Sequence, residues 1–580
     1  MMAYALQEKQ KQKTIDNLLG ALTPAEKAGQ LMVLGFNGTI VDPETEQFVA
    51  KYNIGGLRIS PYIRKFIRYL PDGSPGVENV MRPPQPGEKL WNDKMKPPSL
   101  RASEYAEVLN RLRRMAMKRP HAIPLHMVID CEGGGGSNYL PPGLLTLPAA
   151  MGFGRLNDPD LIRRTSCAVG RQLKAMGVDQ VHSPVVDVNT NPNNPEISTR
   201  SYSADTEVVI ESARAALQGF AEAGIIATLK HYPGRGESSN DSHHGLSIIK
   251  MERAEFYRRH LAPYAKLCAE GVVPAVMPGH SIYPMLDPSG EISTVSHPII
   301  TGILREEFGF DGVITTDSIT MGGLMARYTV GEAMIKAIEA GVDIILLKDD
   351  NSLRYEAHAA LTEAIQSGHL SEERVNQSLR RIWSLKWDYG LFNNGGLVRV
   401  EGLNEHLFHE DYHSVGREAS RRAIHLLRDR ANILPLRPEQ KILLIDRPTN
   451  NTANANDYWN YPGMFWEFMQ RYTKNLTYLD YLPNTLQASD ALIEKLAPSM
   501  DVLVVTAWYD RNSHDDTRHF LTGLLRHGKP IVLISNNPYE ELIVPKEMDT
   551  VVVAYGLLRD GLEAVSHYLF HQDKAPSEKK

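Results

Sequence analysis

Eight short runs rich in Val and Ile, each followed by polar or glycine-containing residues, punctuate residues 29–348 of this 580-residue chain. They read GQLMVLGF (29–36), IGGLRIS (54–60), PLHMVID (124–130), VDQVHSPVVDVN (178–189), IIATLKHYPG (225–234), VVPAVMPGH (272–280), DGVITTDS (311–318) and VDIILLK (342–348). Amphipathic stretches such as SEYAEVLNRLRRMAM and VGEAMIKAIEAG separate them. Unbroken apolar runs suit strands buried on both faces, and a parallel strand needs a helical crossover to return the chain. Eight strand–helix units are the number that closes on itself, so the pattern predicts an α/β fold with an N-terminal (β/α)8 TIM-like barrel over 15–395. In such a barrel the polar residues after each strand form the catalytic mouth.

A second series of runs follows: KILLID (441–446), LTYLDYL (476–482), DVLVVTAW (501–508), PIVLISNN (530–537) and TVVVAYG (550–556). This predicts a smaller αβα sandwich over 436–572, joined to the barrel by a linker at 396–435. The closing DKAPSEKK is expected to be disordered. Residues 61–98 carry eight prolines between the second and third strand candidates. Placed after a barrel strand, this insertion either rises over the mouth or lies as a disordered surface loop.

Composition excludes several classes. A hydrophobic fraction of 42% and a charged fraction of 23% fit a folded globular protein, and a net charge of −6 leaves no nucleic-acid footprint. The opening MMAYALQEKQKQKTIDNLL lacks the apolar core of an export signal, and no run approaches the ~18 residues of a membrane span, so a cytoplasmic location is expected. Cys131, Cys167 and Cys268 are too few and too scattered for a disulfide framework. Oligomeric state is not legible.

Chemistry-bearing residues concentrate in TLKHYPGRGESSNDSHHGL (228–246), after the fifth strand candidate, and in EFGFDGVITTDSITMGGL (307–324), around the seventh. The first resembles the K-H-[FY]-P-G-x-G-[DE]-x-x-x-D-S-H signature of the β-N-acetylhexosaminidase branch of glycoside hydrolase family 3. The second resembles that family's nucleophile segment. IDCEGG (129–134), DVNTNPNNPEISTRSYS (187–203), MPGHSIYPMLDP (277–288) and STVSHPIITGILREEFGFDG (293–312) extend the resemblance over roughly 15–395.

The resemblance implies a retaining exo-β-N-acetylglucosaminidase acting on cell-wall or chitin-derived fragments, with no cofactor and no metal. A retaining glycosidase needs an anionic nucleophile beneath the anomeric carbon and a proton donor beside the leaving oxygen. Asp317, at the end of a strand, fits the first role, although Asp is also a good helix N-cap. His243 fits the second, with Asp241 holding its ring; a free imidazole titrates near ~6.5 and can give and take a proton near neutrality. His244 is the rival in register, and the family's spacing selects His243. A metal site would want a further spaced ligand such as His-x-x-x-His, and none is evident. By resemblance Lys230, His231, Arg200 and Asp130 contact the sugar, while Asp187 and Glu132 are candidates for organising those residues. Buried ion pairing is the alternative reading for Lys230 and Arg200.

Two departures bear on substrate. Cys131 replaces the family's Gln, and Asn138 stands where a sugar-binding Arg is expected. Arg235 occupies a position that relatives often fill with His, which would set a positive charge beside the 237–244 loop and suit an acidic aglycone or a phosphate acceptor. Phosphorolysis is therefore an alternative to hydrolysis, because a His acid/base does not repel phosphate as a carboxylate would. A β-glucosidase-like member would draw its acid from the second domain and lack the Asp-Ser-His loop. A non-catalytic sugar-binding member is the remaining alternative.

Overall fold

Each of the eight apolar runs contains a strand in the computed structural model, which describes residues 2–61, 65–69, 75–79, 100–134, 144–240, 245–348, 352–447, 463–481, 486–508 and 514–572. The strands are Met32–Asn37, Gly56–Ser60, His126–Ile129, Gln180–Val181, Ile226–Tyr232, Ala275–Pro278, Val313–Ile314 and Ile345–Leu347. Neighbours pair in parallel throughout. The ring closes where Thr315 bridges Ile344 in parallel, the Ile344 N–H donating to the Ile314 carbonyl at 2.9 Å. Val33, Leu57, Met127, Val181, Leu229, Val276, Ile314 and Leu346 belong to one buried cluster, the outcome a both-sides-covered parallel sheet requires.

The amphipathic stretches become the outer helices. Ala102–Ala116 buries Tyr105, Leu109 and Leu112 on one face. Val330–Ala340 opens with a reciprocal Thr329–Glu332 capping box and ends at Gly341, whose φ of 115° only glycine adopts without strain. Closure also depends on one glycine: a Cβ on Gly35 would stand 1.9 Å from the Lys348 carbonyl oxygen. Gly35→Ala should therefore force the first and eighth strands apart and destabilise the barrel by at least ~1–3 kcal/mol, read as a lower urea midpoint.

The second unit is a six-stranded sheet in the order His425–Asp429, Thr550–Val553, Ile531–Ser535, Val502–Ala507, Ile442–Asp446, Leu476–Asp480. The last five are parallel and match the five runs in the sequence. His425–Asp429 pairs antiparallel with Thr550–Val553 and falls in the stretch expected to be a linker. That stretch is folded: helix Glu410–Ala423 places Val415 and Ala419 in the barrel's apolar cluster and Ala423 in the second sheet's. An edge strand is hydrogen-bonded along one side only, so HLLRD lacks the long apolar run that marks a central strand.

Within 62–98 the described residues form an antiparallel pair, Lys65–Tyr69 with Pro75–Asn79; the rest of 62–98 and the closing 573–580 lie outside the described residues. Among the described residues no helix is long and apolar enough to cross a membrane.

Candidate active site

The carboxyl ends of the strands bring ionisable residues from six positions along the chain to one mouth. Arg58, on the second strand, grips Asp130, at the end of the third, its Nε donating to Oδ2 at 3.1 Å while Nη2 bonds the same oxygen. His182 Nδ1 lies 3.0 Å from the other carboxylate oxygen, and Lys230 Nζ lies 3.6 Å from it. Burial alone would raise the pKa of Asp130; Arg58, Lys230 and His182 together hold it well below the carboxylate range.

Glu132 is the hub. It receives the Arg200 guanidinium in two parallel bonds, 2.6 Å from Nε and 2.9 Å from Nη2, and the Lys230 ammonium at 2.5 Å. Burial works against its charged form, but Arg200 and Lys230 outweigh burial and depress its pKa. A planar guanidinium facing a carboxylate in this fork fixes direction as well as distance, so Arg200 is aimed rather than merely neutralised. Its Nη1 also donates to the Glu196 carbonyl at 3.0 Å, and Nη2 lies 3.4 Å from His231 Nε2.

His231 connects two carboxylates. Its Nδ1 is 2.8 Å from Asp187 Oδ2, its backbone N–H donates to the same oxygen at 3.1 Å, and its Nε2 faces Asp317 Oδ2 at 3.9 Å. Asp187 also accepts the Arg235 backbone N–H at 2.7 Å, which ties the fourth-strand loop to the start of the 235–240 segment. Burial pushes the pKa of Asp187 up, yet His231 and the Arg235 contacts bring it below the usual range. Asp317 accepts the Ser318 N–H at 2.7 Å. Beneath it His280 holds the Thr294 hydroxyl at 2.7 Å and the Ser318 carbonyl at 2.9 Å. Exposure grades these carboxylates: the Asp317 side chain keeps 21% of its surface, against 14% for Asp130, 2% for Glu132 and 0% for Asp187.

The structure thus brings Asp130, Arg200, Lys230, His231 and Asp317 together, with Glu132 and Asp187 as the organisers that orient them. Lys230 and Arg200 are ion-paired through Glu132, as the alternative reading for them expected. Asp241, His243, His244 and Asn138 lie outside the described residues. Arg235 is corrected: its side chain is 1% exposed and paired with Glu196, so its charge is enclosed and cancelled instead of standing beside the loop. An arginine can reach inward from a loop when a buried carboxylate awaits it, and no local pattern announces that partner. Arg58, His182, Glu196 and His280 were not singled out from sequence. The signal for Arg58 was a charged residue inside an otherwise apolar central strand, which is tolerated only when paired. Among the described residues no group of three or more His, Cys, Asp or Glu side chains is arranged to hold a metal ion.

A parallel barrel whose mouth gathers ion-paired carboxylates beside a more exposed one, Asp317, has the groups a glycosidase site needs. Residues 23–385 match the family described as the glycosyl hydrolase family 3 N terminal domain, and the chain belongs to that family of glycoside hydrolases. It is 28% identical to beta-hexosaminidase A of Pseudoalteromonas piscicida over 367 residues, which are 60% of this chain and 56% of that protein. The chain therefore spans little more than half the length of that relative. It is 25% identical to a beta-N-acetylglucosaminidase/beta-glucosidase of Cellulomonas fimi over 514 residues, 82% of this chain and 86% of the other. Among solved structures, a family 3 beta-N-acetylglucosaminidase from Paenibacillus sp. superposes with a TM-score of 0.81 at 26% identity, covering 95% of this chain and 97% of that one.

Proposed function

We propose that this chain is a retaining exo-β-N-acetylglucosaminidase that removes terminal N-acetylglucosamine from cell-wall or chitin-derived fragments. The observation that carries the reading is that Asp317 is the most exposed of the four mouth carboxylates described, while Asp130 and Glu132 are ion-paired to Arg58, Arg200 and Lys230 and Asp187 is buried against His231. A nucleophile must reach substrate, whereas carboxylates held by cations serve to orient. Likeness to the Paenibacillus enzyme across nearly the whole chain supports the N-acetylglucosamine specificity.

In this reading Asp317 attacks the anomeric carbon as the glycosidic bond breaks, and His243, oriented by Asp241, gives its proton to the departing oxygen. The covalent glycosyl-enzyme is then opened by water, with His243 taking the water's proton. Asp130, Lys230 and Arg200 hold the sugar's hydroxyl and acetamido groups through charge-assisted bonds worth ~1.5–3 kcal/mol each.

The test is release of nitrophenol from a panel of β-linked nitrophenyl sugars, with and without phosphate. Release from the N-acetylglucosaminide in phosphate-free buffer is the expected result. Turnover that requires phosphate and yields a sugar phosphate would replace hydrolysis with phosphorolysis, and silence across the panel would leave a binding protein.

A further inference from the structure

The second sheet does more than cover the barrel: two of its loop side chains reach the segment that carries Arg200. Strand Ile531–Ser535 is followed by Asn536, Asn537, Pro538 and Tyr539. Asn537 is fully buried, and its amide orientation is set within its own loop, because Oδ1 accepts the Tyr539 N–H at 2.8 Å. Its Nδ2 must then point outward, and it donates to the Ser198 hydroxyl of the barrel at 2.8 Å. Ser198 opens the turn Ser198–Arg200 with a φ of 41°, a left-handed conformation that a non-glycine residue holds only when its surroundings impose it. Tyr539 contributes the second contact, its hydroxyl accepting from Asn189 Nδ2 at 3.1 Å. The next residues bind the base of the loop after the fifth strand: Thr190 bonds Glu237, and Asn191 Nδ2 donates to the Ser238 carbonyl and the Ser239 hydroxyl, each at 3.2 Å.

We infer that Asn537 and Tyr539 are positioning residues for the sugar site, holding the 189–200 segment of the barrel from the second domain. Asn537 acts on Arg200 through the Ser198 turn. Tyr539 acts on the base of the 237–240 segment through Asn189 and its neighbours. The second domain thus takes part in substrate binding through the barrel segment it holds. This rests on the reading of Arg200 as a sugar contact given under the proposed function.

The experiment compares wild type with Asn537→Ala, Tyr539→Phe, Ser198→Ala and the Ser198→Ala/Asn537→Ala double variant. Steady-state kinetics on the nitrophenyl N-acetylglucosaminide are read beside amide hydrogen exchange. Asn537→Ala should raise KM about fivefold to tenfold with kcat within about twofold, since one buried hydrogen bond to the turn is lost. The double variant should be no worse than the worse single one, because both remove the same bond. Exchange should quicken locally at 196–203 in Asn537→Ala and at 189–191 in Tyr539→Phe. Unchanged KM with unchanged exchange at these segments would overturn the inference. So would faster exchange spread over the whole barrel with a lowered melting temperature, the mark of a merely structural contact. If wild type releases no nitrophenol, the proposed function fails, and the exchange data still decide whether the brace exists.

Discussion

Asp317→Ala should leave a folded protein whose turnover of the N-acetylglucosaminide falls by about 10⁴-fold or more. The loss is large because an alanine has no electron pair to form the glycosyl bond, and the neighbouring carboxylates are already engaged: Asp130 and Glu132 are ion-paired to Arg58, Arg200 and Lys230, and Asp187 is buried against His231. The fold should survive, because the Asp317 side chain sits partly in solvent at the barrel mouth rather than in the apolar cluster. A thermal melt run beside the rate assay separates the two effects. A variant that keeps its melting temperature and retains more than a tenth of wild-type activity would place the nucleophile elsewhere.

Glu132→Gln is the second large effect and strikes stability as well as rate. A neutral amide leaves Arg200 and Lys230 buried against each other without their shared counter-charge, and a broken buried ion pair costs about 3–5 kcal/mol. The pH dependence has a definite sign. Burial would raise Glu132, but Arg200 and Lys230 bring its folded pKa below the ordinary ~4.3. The stabilisation is therefore complete above that ordinary value and drains away as the pH falls below it toward the folded value. Urea unfolding at pH 7 and at a series of acidic pH values should show the variant less stable at neutrality and with a shallower decline in acid. The decline is not abolished, because Asp130 and Asp187 are depressed in the same direction. Equal slopes for the two proteins would mean that Glu132 does not carry this charge in the folded state.

The barrel was legible because its determinant is repetitive: every Val- and Ile-rich run became a strand, and closure followed from their number. His425–Asp429 was not, because it lies at the edge of its sheet and its side chains are only partly buried. At the mouth, the positions set by strand ends were readable, as Asp317, Lys230 and His231 show. What could not be read is pairing between neighbouring strand ends and loops. Glu132 meets Arg200 and Lys230, Arg58 meets Asp130, and Arg235 meets Glu196, partners brought together by the order of strands in the sheet rather than by spacing along the chain. Arg235 is the instructive case, since its meaning changed from a surface charge to an internal strut once Glu196 stood opposite.

The bridge between Thr315 and Ile344 also orders events in time. The first strand pairs with the second and, through Met32, Val33 and Leu34, with Ile345, Leu346 and Leu347. A chain emerging from synthesis N-terminus first must keep one edge of the first strand waiting until the eighth has been made, and contacts this distant in sequence form slowly. Until then an open sheet of apolar strands has two unpaired margins, the geometry most prone to sticking to other chains. Assembly of this protein should accordingly be more sensitive to crowded, rapid expression than its finished stability would suggest.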